Sequence, residues 1–323
     1  MNILGIDIGG TKCAVSYGVE TDGMLHVVDK HRFATTDLGE TIANILLAVG
    51  RLMGSHGLDA SNTDAIGISC GGPLDSERGI VMSPPNLPGW DDIPIVRTVE
   101  DATGVRTFLQ NDANACALAE YRYGAGKGSR NMVFLTFGTG MGAGIIIDGR
   151  LYGGANGNAG EVGHVRLSED GPMGYGKKGS FEGFCSGGGI AQLAQRMVRD
   201  RYRRGDAVPW CPAGSIASLD ALRVSEAARS GDALALDIMR TSATYLGMGV
   251  SMIIDILNPD TIVIGSVYAR NEQLMRPCMM DVVRREALGL SCKTCRIVPA
   301  GLGEAVGDFS SLSVGADGIR TDS

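Results

Sequence analysis

Dense apolar runs in this chain alternate with stretches of helical spacing, and glycine separates many of them. Ile3 to Ile8 is a short apolar run that Gly9-Gly10-Thr11 interrupts and Cys13 to Tyr17 resumes. That pattern predicts strand, tight turn, strand. Residues 38–54 carry apolar positions at helical spacing, which predicts an amphipathic helix. Ala65 to Ser69 predicts a strand, closed by Cys70-Gly71-Gly72-Pro73, and a Pro/Gly-rich loop covers 83–90. Thr107 to Gln110 reads as a strand that ends at Asn111-Asp112, with a helix from about Ala113 to Tyr123.

The second half repeats the theme. Met132 to Phe137 predicts a strand, a glycine turn follows, and Ile145-Ile146-Ile147 resumes the apolar run. LTFGTGMGAGII thus mirrors LGIDIGGTKCAV about 130 residues later, a weak internal duplication. Residues 153–188 read as a Gly-rich polar loop, and helices are expected near 189–203, 220–230 and 233–257. Asn258-Pro259 stops the last of these. Thr261 to Ile264 is a buried strand ending at Gly265, a helix is expected near 271–287, a strand at 295–298 and a final helix near 304–313. Strands and helices alternate throughout, so the class is α/β.

Composition narrows the function. Gly accounts for 48 of 323 residues, about double the usual ~7%, and the glycines cluster beside apolar runs rather than in a disordered tract. The length suggests two domains. The net charge of −7 gives no broad basic face for nucleic acid. No apolar run reaches the ~18 residues of a membrane span, and MNILGIDIGG carries no secretion signal. Eight scattered cysteines fit reduced thiols in a cytoplasm better than a disulfide framework.

Several constellations could carry chemistry. Gly9 and Gly10 let the backbone approach an anion and aim N–H groups at it. Asp7 stands at the preceding strand end, and Thr11 and Lys12 add a hydroxyl and a cation for phosphate oxygens. An ordinary hairpin turn explains the same residues. Gly138-Thr139-Gly140-Met141-Gly142 contains G-x-G, but a strand-like run follows where a dinucleotide site needs a helix. A Walker A loop fails as well, since Gly126-Lys127 lacks the upstream glycine. Two phosphate-cradling hairpins in two half-domains remain. Asp112 sits where a strand becomes a helix, a place that suits a capping carboxylate. The same place presents it at a sheet edge, where α/β proteins bind ligands. Glu161 and His164, three apart, could share a face or sit as surface polarity; Glu182 alone reads as a loop or capping residue. Cys292-Lys293-Thr294-Cys295 lacks the further ligands zinc needs.

Taken as an ordered set, DIGGTK, GISCGGPLD, PNLPGW, NDANACALAE, FGTGMGAGIIIDG, GEVGH and NPDTIVIG resemble the ROK family (repressors, open reading frames and sugar kinases). The resemblance spans nearly the whole chain. It implies an actin-like ATPase (ribonuclease H-like) fold with two α/β domains around a cleft. The expected division is an N-terminal domain over 1–112 completed by a C-terminal helix at about 304–315, a larger domain over 113–303, and a frayed tail at 316–323. It implies phosphorylation of a hexose, glucose by default, by ATP with Mg2+, in a cytoplasmic homodimer with no nucleic-acid or membrane partner. N-acetylmannosamine or N-acetylglucosamine is the alternative substrate, and a sugar-binding regulator or pseudokinase the non-enzymatic one. Family repressors carry an N-terminal winged helix-turn-helix, for which the first strand at residue 2 leaves no room.

By the same resemblance Asp112 is the catalytic base. Asn111, Glu161, His164 and Glu182 hold the sugar, with Gly72 and Asn86 lining its pocket. Asp7, Gly9, Gly10, Thr11 and Lys12 face the nucleotide phosphates and the metal, with Gly138, Thr139 and Gly140 opposite and Gly265 near the nucleoside. One departure stands out. Many members bind structural zinc with the His of E-x-G-H and three cysteines, and here those cysteines appear as Met173, Tyr175 and Ser180. Thioether, phenol and hydroxyl do not replace three thiolates, so no zinc is expected, with Tyr175 or a backbone group orienting His164.

Overall fold

The computed structural model describes residues 1–321 of the chain. Its first elements are β1 (Asn2–Ile8), β2 (Lys12–Thr21), β3 (Met24–Ala34), α1 (Leu38–His56), β4 (Ala65–Cys70), β5 (Leu74–Asp75), β6 (Ile80–Val81), α2 (Ile95–Thr103), β7 (Thr107–Asn111) and α3 (Asp112–Tyr123). Then come β8 (Met132–Leu135), β9 (Ala143–Ile147), β10 (Arg150–Leu151), β11 (Met173–Gly174), β12 (Lys177–Lys178), α4 (Phe181–Phe184) and α5 (Gly187–Arg203). The chain closes with α6 (Ala221–Arg229), α7 (Ala233–Leu257), β13 (Thr261–Ile264), α8 (Ser266–Glu286), α9 (Gly289–Thr294), β14 (Arg296–Pro299) and α10 (Val306–Thr321). Two compact units form: one from Met1–Ser129, Gly144–Ala159 and the chain from Gly301 onward, the other from Arg130–Ala143 and Gly160–Ala300.

The first unit is built on a five-stranded sheet in the order β3-β2-β1-β4-β7. β1, β4 and β7 run parallel, while β2 and β3 are antiparallel to their neighbours. β1 and β4 read as continuous apolar runs because both faces are covered. On one face Leu4, Ile6, Ile8, Ile66 and Ile68 join Ile45, Val49 and Trp90. On the other, Ile3 meets Leu312 and Ala316 of α10. α1 obeys its sequence pattern: Asp37 caps it by accepting the Glu40 N–H, Gly57 ends it in the left-handed conformation, and Thr41, Ile45, Ala48, Val49 and Leu52 are buried.

Glycine decides how α10 docks. A Cβ on Gly5 or Gly67 would strike Ser311, and one on Gly67 would also reach the Gly315 backbone. These glycines let the helix lie directly on the strands. Close packing also explains why α10 outruns its expected end at 313. Its C-terminal turns are tied down by ion pairs of Asp317 with Arg122 and of Arg320 with Glu20. The expected frayed tail, 316–323, is therefore helical as far as Thr321; Asp322 and Ser323 lie outside the described residues.

A buried carboxylate ties the segment that begins at Gly301 to α3. Glu120 is fully buried and accepts the N–H groups of Ala125 at 2.8 Å, Gly301 at 3.0 Å and Leu302 at 2.9 Å. Three donors satisfy a charge that burial alone would not tolerate.

In the second unit β8, β13 and β14 are parallel, and α7 is capped by Asp232 and closed by left-handed Asn258. α8 starts at Ser266, earlier than the expected 271, because a kink at Asn271 breaks its periodicity. The stretch read as a loop at 153–188 contains the hairpin β11–β12 and the short α4. Their few residues leave no periodic signal. Among the described residues no helix is long and apolar enough to cross a membrane.

Candidate active site

Sheet register gathers the first set of site residues. Asp7 pairs with Ser69 and Ile8 with Cys70 across β1 and β4; Ser69 pairs with Gln110 and Cys70 with Asn111 across β4 and β7. The carboxyl ends of three parallel strands thus deliver Asp7, Gly71-Gly72 and Asn111-Asp112 to one sheet edge, where α/β folds bind ligands.

The β1–β2 turn closes with Gly9 N–H donating to Lys12 O at 3.2 Å, and Thr35 steadies it through Gly9 O at 2.6 Å. Thr11 and Lys12 are exposed on it. A Cβ on Gly10 would meet the Asn86 backbone oxygen at 2.6 Å, and one on Gly71 would lie 3.4 Å from Asn86 Oδ1. Asn86 is thereby held beside the turn and the Gly71-Gly72 bend.

Asn111 caps α3, accepting the Asn114 N–H on Oδ1 at 2.7 Å. The Asn111 amide nitrogen takes no part in that cap. Asp112 follows in the first turn, with Oδ1 on the Ala113 N–H at 2.8 Å. Solvent reaches Asp112, while protein crowds it enough that desolvation raises its carboxyl above the usual range, opposed by backbone hydrogen bonds. Desolvation likewise lifts Asp7 to about 6; Lys30 opposes the shift and the Asp112 charge adds to it. Lys30 pairs with Asp308 beside this carboxylate. The sequence offered no signal for that pair, which brings an edge strand against the start of α10.

The second unit assembles the other set. Its glycine turn folds on itself: Gly138 N–H donates to Gly140 O at 2.9 Å, and Gly142 N–H to Thr136 Oγ1 at 3.0 Å. Thr139 stands exposed at the tip. Gly265 ends β13 at the same place, donating to Leu135 O at 2.9 Å, and Val267 N–H reaches Phe137 O at 3.0 Å. Gly138, Thr139, Gly140 and Gly265 therefore form one cluster.

Glu182 joins that cluster to the loop that carries Glu161 and His164. Its Oε2 accepts the Met141 N–H at 3.1 Å, a link the sequence did not signal. α4 holds Glu182 between two buried rings: Phe181 lies against Gly249 of α7, and Phe184 stacks on Tyr245 with centroids 3.4 Å apart. Ser180 Oγ caps α4 on the Gly183 N–H at 3.0 Å. Glu161 precedes a short 3-10 turn, Val162–His164, that ends at His164; both side chains are exposed, with Nε2 and Oε2 4.0 Å apart. The His164 ring stacks on Tyr175 with centroids 3.7 Å apart and planes at 27°. Cys292 and Cys295 gather no third ligand: among the described residues no group of three or more His, Cys, Asp or Glu could hold a metal.

The chain matches the ROK family over residues 3–311. It is 35% identical over 282 residues to a glucokinase of Halalkalibacterium halodurans, covering 85% of this chain and 83% of that one. It is 37% identical over 196 residues to an N-acetylmannosamine kinase of Citrobacter koseri, covering 60% of this chain and 65% of that one. The crystal structure of a ROK family glucokinase from Streptomyces griseus in complex with glucose and AMPPNP superposes with a TM-score of 0.77 at 30% identity, covering 98% and 99% of the two chains. The actin-like fold expected from the sequence is therefore the fold of this protein. The match over nearly the whole chain and the relative at 35% identity lead to one placement: the chain belongs to the ROK family.

Proposed function

We propose that this protein phosphorylates a hexose with ATP, glucose before others, and that Asp112 is the general base. The observation that carries the reading is the carboxyl edge of β1, β4 and β7. It presents a solvent-reachable carboxyl whose pKa burial raises, the asparagine that caps the following helix, and a glycine turn next to a second carboxylate. The relatives named glucokinase support the choice of sugar.

In the reaction the sugar hydroxyl oxygen forms a bond to the γ-phosphorus while the bond from that phosphorus to the β–γ bridging oxygen breaks. Asp112 takes the hydroxyl proton as nucleophilicity develops, and ADP carries away the bridging oxygen. Asn111, Glu161, His164 and Glu182 fix the sugar through hydrogen bonds and so aim one hydroxyl. In this reading the turns at Gly9–Lys12 and at Gly138–Gly140 are the phosphate-binding segments, with the exposed Thr11 hydroxyl and Lys12 ammonium among the donors. Asp7 and Asp112 add negative charge to one edge, which suits a hard divalent cation. Asp7 would hold Mg2+, and that ion supplies charge neutralisation at the phosphates when bound.

The relative named N-acetylmannosamine kinase favours a second substrate reading. A panel of hexoses and N-acetylhexosamines with ATP, read by ADP release, tests both. Glucose is expected to give the highest kcat/KM. No sugar-dependent ADP release from any member of the panel would overturn the proposal. A cytoplasmic location belongs to the same reading, supported by eight free cysteines, and a homodimer follows from the family resemblance alone.

A further inference from the structure

Family members with three cysteines in this loop brace it with zinc, and the donors here do not fit that ion. His164 faces a phenol ring, Met173 is 46% exposed, and Ser180 Oγ is committed to protein partners. A thioether and two hydroxyl-type oxygens give zinc no thiolate. We infer that the Tyr175 ring stacked on His164, together with the Ser180 hydroxyl capping the turn that carries Glu182, braces the loop in place of zinc, with Tyr175 as the positioning residue for His164. The inference rests on the sugar-kinase reading for what His164 and Glu182 hold.

Four observations build the brace. First, Tyr175 and Gly176 are the two loop residues of the β11–β12 hairpin, with φ of 50° and 70°. That pair is what a type I′ turn requires. An aromatic residue is costly there, by about 1–2 kcal/mol, so its ring must be held by what it touches. Second, it is held by His164, at 3.7 Å between centroids. Third, the hairpin grips the same residue again, because Lys177 Nζ donates to His164 O at 2.7 Å. Fourth, Ser180 is fully buried. Its Oγ donates to Gly174 O at 3.1 Å and accepts the Gly183 N–H at 3.0 Å, binding the hairpin to α4. The layers are close enough that a Cβ on Gly163 would lie 2.8 Å from the Tyr175 ring and 3.3 Å from Glu182 Cβ. His164, Tyr175 and Glu182 are thus packed through Gly163 as one block.

The test uses the full chain. Metal analysis of purified protein is expected to find no stoichiometric zinc. Kinase activity with Mg-ATP is expected to survive a zinc-selective chelator unchanged. Tyr175→Ala is expected to raise KM for the sugar about 3- to 10-fold, the value of an aromatic contact, with kcat within about twofold; Tyr175→Phe restores KM because it keeps the ring. Proton NMR supplies a readout free of activity: His164 ring protons are shifted upfield by the tyrosine ring current, and the shift vanishes in Tyr175→Ala but persists in Tyr175→Phe. Stoichiometric zinc, activity lost to the chelator, an unchanged KM in Tyr175→Ala, or a Tyr175→Phe variant as impaired as the alanine one would each overturn the inference. A wild-type chain without sugar kinase activity counts against the proposed function alone, since the ring-current shift still decides the stack.

Discussion

Asp7 and Asp112 are the same residue type at one sheet edge, and folding suits neither in the absence of ligands. For Asp7 the raised value of about 6 has a consequence for stability. An acid whose folded pKa exceeds its unfolded value binds more protons in the native state, so stability falls as pH rises between the two values and stays lower above them. The ordinary value is 3.8, so the loss develops between about pH 4 and pH 6. Asp7→Asn removes it. In ligand-free protein at pH 7.5 that variant is expected to raise Tm by about 2–4 °C and to lose turnover, with the Tm gain disappearing near pH 4. Thermal unfolding at both pH values checks this, and a lower Tm at pH 7.5 would mean that Lys30 needs the Asp7 charge. The position of Asp112 at a strand–helix junction was legible because Asn-Asp there is a local pattern, while its role as a base came from the family resemblance. Lys30, Asp308 and the Glu182–Met141 link were not, because each joins residues far apart in sequence and depends on tertiary placement.

At the level of elements, local pattern carried the buried parts. β1, β4, β8 and β13 are continuous apolar runs, and α1 and α7 have both periodicity and caps. β3 escaped the reading because Met24–Ala34 is an edge strand whose side chains are mostly exposed, so it shows neither a run nor clean alternation. The hairpin β11–β12 escaped because two-residue strands carry no period. The docking of α10 was half visible. Its position near the end was readable, but not that Gly5, Gly67 and Gly315 set its distance from the sheet. A Cβ on Gly67 meets backbone on α10, which cannot rotate away. Gly67→Ala is accordingly expected to destabilise the protein by about 3 kcal/mol, read from the midpoint of urea unfolding. A loss below about 0.5 kcal/mol would show that the helix shifts without cost.

For the whole molecule, the sequence showed two strand–glycine turn–strand segments, and both fold as such: Gly9–Thr11 between β1 and β2, and Gly138–Gly142 between β8 and β9. Each turn is closed by its own backbone hydrogen bonds. The choice of sugar was not readable, because it depends on which hydroxyls find partners among side chains brought together only by folding. The claim on which the account turns is that one carboxylate accepts the proton of the attacking hydroxyl. The direct measurement is Asp112→Asn, with kcat from ADP release and sugar affinity from calorimetry on the same preparation. The substitution keeps size and the oxygen that accepts the Ala113 N–H, so the fold and the sugar contacts should persist. Affinity within about threefold of wild type and kcat lower by about 10²–10⁴ is the predicted result; a kcat within a few-fold of wild type would contradict it.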